Sequence, residues 1–219
     1  CFCLPETLDA TRSQRRSLQS VLHQLGHVAQ AWRYAWLVAY INGVLFCYYA
    51  ESPFLFIHRL HLTSSQYGTL GIGIALAAIT GSLTGRRLVQ SHTSTTLIRL
   101  GVKCCTGISL LLYVGCIAAF HSLDHTLLAI GFIMLPMMGL VFFGFGFIVP
   151  FALSNALHAY QNALGKAAAG FGGAYYVMIM LLTYGMGLIH HGGPTAMPLY
   201  FIVMNVVSLL ALPRKKATP

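Results

Sequence analysis

Six long apolar stretches constrain the fold of this sequence more than any other feature. A helix needs about 20 mostly apolar residues to cross a bilayer core of about 30 Å. No stretch alternates in hydropathy as a lipid-facing strand does, and each is apolar on every side. The sequence therefore predicts an all-α membrane protein with six transmembrane helices. They run Tyr34–Ile57, Tyr67–Gly85, Leu100–Phe120, Leu127–Ala152, Ala167–Ile189 and Ala196–Leu212.

The scarcity of charge excludes a soluble domain of ordinary type. Only 8% of the 219 residues are charged, against about 25% in soluble domains. The net charge of +9 is spread over loops instead of forming one soluble face, so we expect no nucleic-acid partner. With the first segment placed inside, Arg59 is the one basic residue of 13 that falls outside. This asymmetry predicts a protein of the cell inner (plasma) membrane, in contact with the lipid bilayer, with both ends cytoplasmic.

The stretches divide the chain into three parts. Residues 1–33 are expected to form a cytoplasmic loop with an amphipathic surface helix, because apolar residues recur every three or four positions between 18 and 29. Residues 34–212 form the six-helix bundle, and 213–219 form a basic cytoplasmic tail. The chain begins with Cys1 and shows no signal peptide, which indicates a start inside a longer reading frame.

The first stretch carries polar residues that an apolar helix does not need. Glu51 is the one carboxylate within a span, and such residues are commonly functional because a charge at mid-bilayer costs about 2.5–3.5 kcal/mol. An interfacial glutamate that reaches water is the alternative. Pro53 breaks the helix nearby. Asn42 and Tyr49 lie seven residues apart on one face, which predicts contact with a cavity or with a packed neighbour.

The fourth stretch is interrupted by prolines. Pro136 and Pro150 each remove a backbone donor, and three glycines between them weaken the helix further. Broken helices often line transport sites, because unwound backbone is tolerated at membrane depth only beside a cavity or buried in protein. Asn155 is expected to cap this helix or to line the inner mouth. A kinked structural helix is the alternative.

Small residues recur every four positions in the second and fifth stretches. This spacing lets helices approach each other closely. We expect both helices to pack against others, in this chain or outside it. The residues are Ala77, Gly81 and Gly85, and Gly165, Ala169 and Gly173.

Metal and enzyme signatures are weak or absent from the sequence. His121, Asp124 and His125 have a ligand-like spacing, and His190 and His191 lie on the same predicted side. Ordinary polar loops explain them better, so no metal or cofactor is predicted. The six cysteines form no C-x-x-C pair and are interpreted as apolar fillers. No nucleotide-binding loop, serine-hydrolase elbow or zinc-protease motif is present, so we do not expect an enzyme.

Several motifs resemble one transporter family. They are LPETLD at 4–9, YYAESPF at 48–54, QYGTLGIGIALAAITGSLTGRRL at 66–88, the Gly146, Pro150 and Asn155 set, and GKAAAGFGGAYY at 165–176. In this order they resemble the bicyclomycin-resistance (Bcr/CflA) drug exporters of the major facilitator superfamily. The resemblance implies the C-terminal half of a twelve-helix fold, a 3+3 inverted repeat whose N-terminal six-helix half is missing. It also implies that the first and fourth helices line the cavity and that the second and fifth face the other half.

The resemblance implies secondary active efflux of drugs or other small hydrophobic compounds by proton antiport. The expected contacts with the small-molecule substrate are Asn42, Tyr49, Glu51, Asn155, Tyr175 and Tyr176. Glu51 is the candidate for protonation or for attracting cations, although the family often has a small residue there. The basic loop after Gly85 also lacks the aspartate of the family motif. Two alternatives remain: a non-transporting remnant of a truncated transporter gene, and a six-helix membrane protein with an outer-face metal site.

Overall fold

The computed structural model describes residues 29–121, 126–158, 164–189 and 195–212. This part of the chain is helical apart from short turns and contains no strand. Two π-helical segments interrupt the α-helices: the first π segment, Phe54–Arg59, continues α1, and the second, Gly144–Ile148, joins α4 to α5. The all-α prediction is therefore confirmed. The helices are α1 Ala29–Pro53, α2 Ser64–Leu88, α3 Ser94–His121, α4 Thr126–Phe143, α5 Val149–Leu157, α6 Leu164–Ile189 and α7 Ala196–Leu210.

Four of the helices within the described residues are long and apolar enough to cross a membrane. They cover Ser64–Leu88, Ser94–Ala119, Leu128–Leu157 and Ala168–Ile189. The third comprises α4, the second π segment and α5, and is called the α4–α5 rod below. α7 has only 15 residues, about 22 Å of helix. α1 has 25 residues but is not among the four, and it carries Asn42, Glu51 and several tyrosines. The protein is therefore a multi-pass membrane protein.

The packing follows a simple pattern. α2 packs on the α4–α5 rod and α6 packs on α1. In the same way, α3 packs on the rod and α7 packs on α1, while α1 contacts the rod and α3 contacts α7. Exchanging α1, α2 and α3 for the rod, α6 and α7 therefore leaves these main pairings unchanged. The smaller contact between α6 and α7 has no counterpart of the same extent between α2 and α3.

The core lies between α1, α3 and the rod. Its largest fully buried side chains include Tyr40 and Tyr48 of α1, Leu112 of α3 and Met137 of α4. Half of the most apolar stretch of the rod is buried, against 22% for α2 and 11% for α6. α2 and α6 are therefore the peripheral helices, and most of their apolar surface is left uncovered by the described residues.

The turn between the first π segment and α2 is fixed locally. His61 has a φ of 55°, a left-handed conformation suited to a tight turn. Thr63 then begins α2 with a capping box: its Oγ1 accepts from the Gln66 N–H at 3.3 Å, and its own N–H donates to Gln66 Oε1 at 3.0 Å. The cap defines where α2 starts, and therefore which face of α2 carries Gly81 and Gly85.

Several sequence expectations lie outside the described residues. They concern the amphipathic segment up to residue 28, the loops 122–125 and 190–194 and the tail 213–219. These regions include Asp124, His125, His190 and His191 and about half of the basic residues that predict orientation.

Candidate functional site

The prolines have unequal effects on the two long interrupted helices. Pro150 has no N–H to donate to Gly146, and the second π segment ends just before it, so that Pro150 opens α5 at a position that needs no donor. Pro53 similarly immediately precedes the first π segment. Pro136, by contrast, lies within α4, which stays α-helical to Phe143. The α4–α5 rod is therefore distorted at one place, near Pro150, and not at both prolines.

Two glycines of α2 lie directly against the backbone of the rod. A Cβ atom on Gly81 would overlap the Phe142 carbonyl, and one on Gly85 would overlap the Gly146 carbonyl. The reverse also holds, because a Cβ on Gly146 would overlap the Gly81 carbonyl. Glycine is required here because two main chains touch. The small-residue stripe of α2 therefore packs inside this chain, on the end of α4 and on the second π segment.

The small-residue stripe of α6 has a different environment. Gly165, Ala169 and Gly173 are exposed. A Cβ atom built on Gly165 or Gly173 meets no atom of the described residues within 4 Å. The two stripes look alike in sequence, but this one is left open by the described part of the chain.

α1 presents its candidate residues on two opposite sides. Phe46 and Tyr49 are 51% and 46% exposed and continue the face of half-buried Asn42, whose Nδ2 donates to the Val38 carbonyl at 2.9 Å. Glu51 is nine residues from Asn42, which is about half a turn around the helix. It lies one turn beyond Cys47, whose Sγ contacts the Leu182 carbonyl of α6 at 3.8 Å. Asn42 and Tyr49 thus share a face that Glu51 does not.

The remaining candidates lie on α5 and α6. Asn155 is half-buried, and its Oδ1 accepts a hydrogen bond from Ser94 Oγ at 3.1 Å, which ties α5 to the start of α3. Tyr175 is half-buried beside Phe171, and Tyr176 is 61% exposed with its ring 4.6 Å from that of Tyr175. α1 packs against both α5 and α6. All six candidates therefore lie on α1 or on its direct neighbours.

A buried polar cluster was missed by the sequence reasoning. Tyr40 Oη donates to Asn205 Oδ1, and Asn205 Nδ2 donates to Ser109 Oγ and to the Phe201 carbonyl, both at 2.7 Å. Tyr40, Ser109 and Asn205 are all fully buried. The cluster joins α1, α3 and α7. A lone amide in the apolar sequence of α7 was the available signal, because a buried amide must find partners.

A second bond extends the contact between α1 and α7. Trp36 Nε1 donates to Ser208 Oγ at 3.0 Å, and Ser208 Oγ donates in turn to the Met204 carbonyl at 2.8 Å. Trp36 precedes Tyr40 by one helical turn, and Ser208 follows Asn205 by about one turn. α1 and α7 are therefore joined by polar contacts over two successive turns.

The described cysteines and histidines do not form a metal cluster. Cys47, Cys104, Cys105 and Cys116 are free thiols, and all but Cys104 are buried in apolar surroundings. Within the residues that the structure describes, no three potential ligands converge. The proposed outer-face histidine group lies largely in segments outside this part of the chain.

Comparison with known proteins connects the chain to transporters. It is 30% identical over 228 residues to a protein named "Uncharacterized transporter" from Rickettsia bellii (strain RML369-C), covering 100% of this chain and 56% of that protein. A protein with the same name from Rickettsia felis (strain ATCC VR-1525 / URRWXCal2) is 31% identical over 183 residues, which is 82% of this chain and 45% of the relative. The chain thus spans about half the length of these curated relatives. No protein-family model matches it.

Proposed function

We propose that this chain is the C-terminal six-helix half of a major facilitator transporter that resembles the Bcr/CflA drug exporters. It exports drugs or other small hydrophobic compounds, and proton antiport drives the cycle. α1 and α7 count as the first and last of its six spans. Both ends of the chain are cytoplasmic in this proposal, and the protein resides in the cell inner membrane.

The exchange pattern of the helix contacts is the observation that carries the proposal. Each half of a major facilitator transporter contains two inverted three-helix repeats. In such a repeat, the main contacts of the first three helices have counterparts among the last three. The pairs α2–rod and α6–α1, and the pairs α3–rod and α7–α1, meet this requirement.

The length of the relatives supports a missing half. The chain covers 56% and 45% of the two transporters described above. The helices with the least buried surface are α2 and α6, and α6 also exposes its small-residue stripe. These are the helices that the family resemblance places against the N-terminal six helices. Close packing of that half on α6 would use the space beside Gly165 and Gly173.

The substrate path in this proposal follows the exposed face of α1. Asn42, Phe46 and Tyr49 offer one amide and two aromatic rings to a hydrophobic compound, and Tyr176 of α6 offers another exposed ring. Aromatic rings suit such substrates because they bury large apolar areas while keeping specific stacking geometries. The second π segment lets the α4–α5 rod bend as the two halves rock around the site.

A transport assay with the complete protein tests the proposal. The reading frame upstream of Cys1 is cloned together with this chain, and the product is placed in proteoliposomes under an imposed pH gradient. We expect the gradient to drive accumulation of a fluorescent hydrophobic dye, and a protonophore to abolish it. Tyr49→Ala should reduce the rate severalfold, whereas the control Leu135→Ala, at an exposed apolar position of α4, should not.

Two results would contradict the proposal. A stop codon directly upstream of Cys1 in the gene would indicate a remnant that has no N-terminal half. If the protein binds the dye and the rate of dye transport does not depend on the pH gradient, proton antiport would be excluded, although a transport role would remain.

A further inference from the structure

The open face of α1 lies between the rod on one side and α6 on the other. Ile41 packs on Gly144 of the second π segment, in the space that a Cβ on the glycine would need. Gly43 faces Leu182 of α6. Asn42 lies between these two contacts, because successive residues are about 100° apart around a helix. Its half-buried side chain therefore belongs to the face that neither the rod nor α6 covers completely.

Asn42 also lies near the middle of α1. The helix begins at Ala29 and ends at Pro53, so that the two ends are at similar distances from Asn42. In the proposed topology this position is the apolar interior of the bilayer, where polar side chains face protein or a cavity and not lipid. A hydrogen bond made here competes with little water, so the two ends of the amide group decide what can bind beside them.

The amide of Asn42 has a fixed orientation. Its Nδ2 donates to the Val38 carbonyl at 2.9 Å. A carbonyl oxygen accepts hydrogen bonds and donates none, so the nitrogen and not the oxygen of the amide must face it. Turning the amide over would place two acceptor oxygens against each other. Oδ1 is therefore the atom that the side chain turns away from its own main chain.

Asn42 Oδ1 is an acceptor that the described residues leave open. Among them, the hydrogen bond of Asn42 is the one from Nδ2, and every fully buried polar side-chain atom has a partner. An Oδ1 without a donor is therefore not fully buried. The next residues along the same face are Phe46 and Tyr49, whose rings are about half exposed. The face thus combines one open acceptor with two aromatic rings.

We infer that this face of α1 selects hydrophobic compounds that carry an O–H or N–H donor, and that Asn42 Oδ1 accepts their hydrogen bond. The inference rests on the proposed export function and names the substrate class of the same path. The rings of Phe46 and Tyr49, one and two turns further along, hold the apolar part of the compound. A compound without a donor covers Oδ1 and leaves it unpaired, which weakens its binding.

Equilibrium binding of a matched pair of compounds to the complete protein in detergent tests the inference. The pair is naphthol and its methyl ether, methoxynaphthalene, which keeps the aromatic rings and the oxygen but has no O–H. Fluorescence titration gives a Kd for each, without any pH gradient. We expect Asn42→Leu to weaken the binding of naphthol about fivefold, the factor typical of one neutral hydrogen bond. Its Kd for the ether should stay near the wild-type value, which also shows that the variant is folded.

Two further variants separate the acceptor from the rest of the face. Tyr49→Leu should weaken the binding of both compounds alike and leave the ratio of the two Kd values unchanged. Asn42→Asp keeps an acceptor oxygen and should keep the wild-type preference for naphthol. A ratio that is the same in Asn42→Leu as in the wild type would overturn the inference, and so would an equal change of the ratio in Tyr49→Leu.

The same measurement distinguishes this inference from the proposed function. If the wild type binds neither compound, export of hydrophobic compounds is contradicted and the inference is overturned with it. If the ratio changes in Asn42→Leu as expected but transport does not depend on the pH gradient, proton antiport is excluded, and the role of Asn42 is retained.

Discussion

Asn205 shows how much one buried amide can hold together. It accepts from Tyr40 and donates to Ser109 and to the Phe201 carbonyl, and no part of these three side-chain groups reaches the surface. In an apolar environment an amide without partners loses several kcal/mol relative to water. The cluster therefore specifies how α1, α3 and α7 pack, in a region where apolar side chains alone would tolerate several arrangements.

Replacing Asn205 should destabilise the bundle more than removing one of its partners. We expect Asn205→Leu to lower the free energy of unfolding by about 1–3 kcal/mol, because Tyr40 and Ser109 lose their partner while buried. Tyr40→Phe removes only one bond and should cost about 1 kcal/mol. Thermal unfolding in detergent measures both. Val207→Ala, at an exposed position of α7, is the control, and equal effects of Asn205→Leu and Val207→Ala would exclude a stabilising role.

The opposite placement of Tyr49 and Glu51 on α1 separates their roles in transport. Tyr49→Leu should lower export of cationic and neutral compounds alike, because it removes an exposed ring from the proposed path. Glu51→Gln should lower export of cationic compounds more than that of neutral ones, because only the charge changes. Initial rates for one cationic and one neutral dye, measured in the complete protein, decide this. If the Glu51→Gln variant exports both dyes at the wild-type rates, Glu51 takes no part in substrate recognition.

At the scale of the helices, the positions of the helices could be predicted from the sequence, whereas the places where they become π-helical could not. Apolar runs predicted the helix boundaries to within about six residues, because the thickness of the bilayer dictates the length of a spanning helix. Pro136 and Pro150 looked equivalent in sequence, yet only the region before Pro150 is π-helical. The π-helical region also makes a close main-chain contact, because the Gly146 carbonyl lies against Gly85 of α2.

The glycine stripes of α2 and α6 should respond oppositely to alanine. Gly81→Ala should destabilise this chain by about 1–3 kcal/mol, because the new methyl group meets the Phe142 backbone, which cannot move aside as a side chain can. Gly173→Ala adds its methyl group to open space and should stabilise α6 slightly, since alanine favours helix by about 1 kcal/mol. Thermal unfolding of the two variants in parallel measures the difference. A similar melting temperature for both would show that α2 can separate from the rod at little cost.

For the whole molecule, the sequence predicted the class of protein but not how its candidate residues are grouped. Periodicity correctly placed Asn42 and Tyr49 on one face of α1. The same periodicity puts Glu51, nine residues after Asn42, on the opposite side of the helix. Glu51 was nevertheless grouped with them, because it is a carboxylate within the same span and not because of its angle around the helix. Asn205 was passed over for a related reason: its partners lie 96 and 165 positions away in sequence.

The exposed sides of α2 and α6 lead to a prediction about assembly. When this chain and the upstream six helices are expressed as two separate polypeptides, we expect them to copurify from detergent extracts. Gly173→Trp should reduce copurification, because it fills the space in which a neighbouring helix would lie against α6. Leu135→Trp is the control at an exposed position of α4. Copurification that is equally strong in both variants would place the partner elsewhere on the surface.

In the proposed topology, the correspondence between the contacts of α1, α2 and α3 and those of the rod, α6 and α7 follows from the odd number of helices in each repeat. A unit of three spanning helices begins on one side of the membrane and ends on the other. A second copy joined directly behind it therefore enters from the opposite side and is inverted without any change in its own sequence. In the proposed topology, duplication of a three-helix ancestor would thus have produced both orientations of one packing unit in a single genetic step. In that topology the two copies would have been joined in the loop 122–125, between α3 and α4.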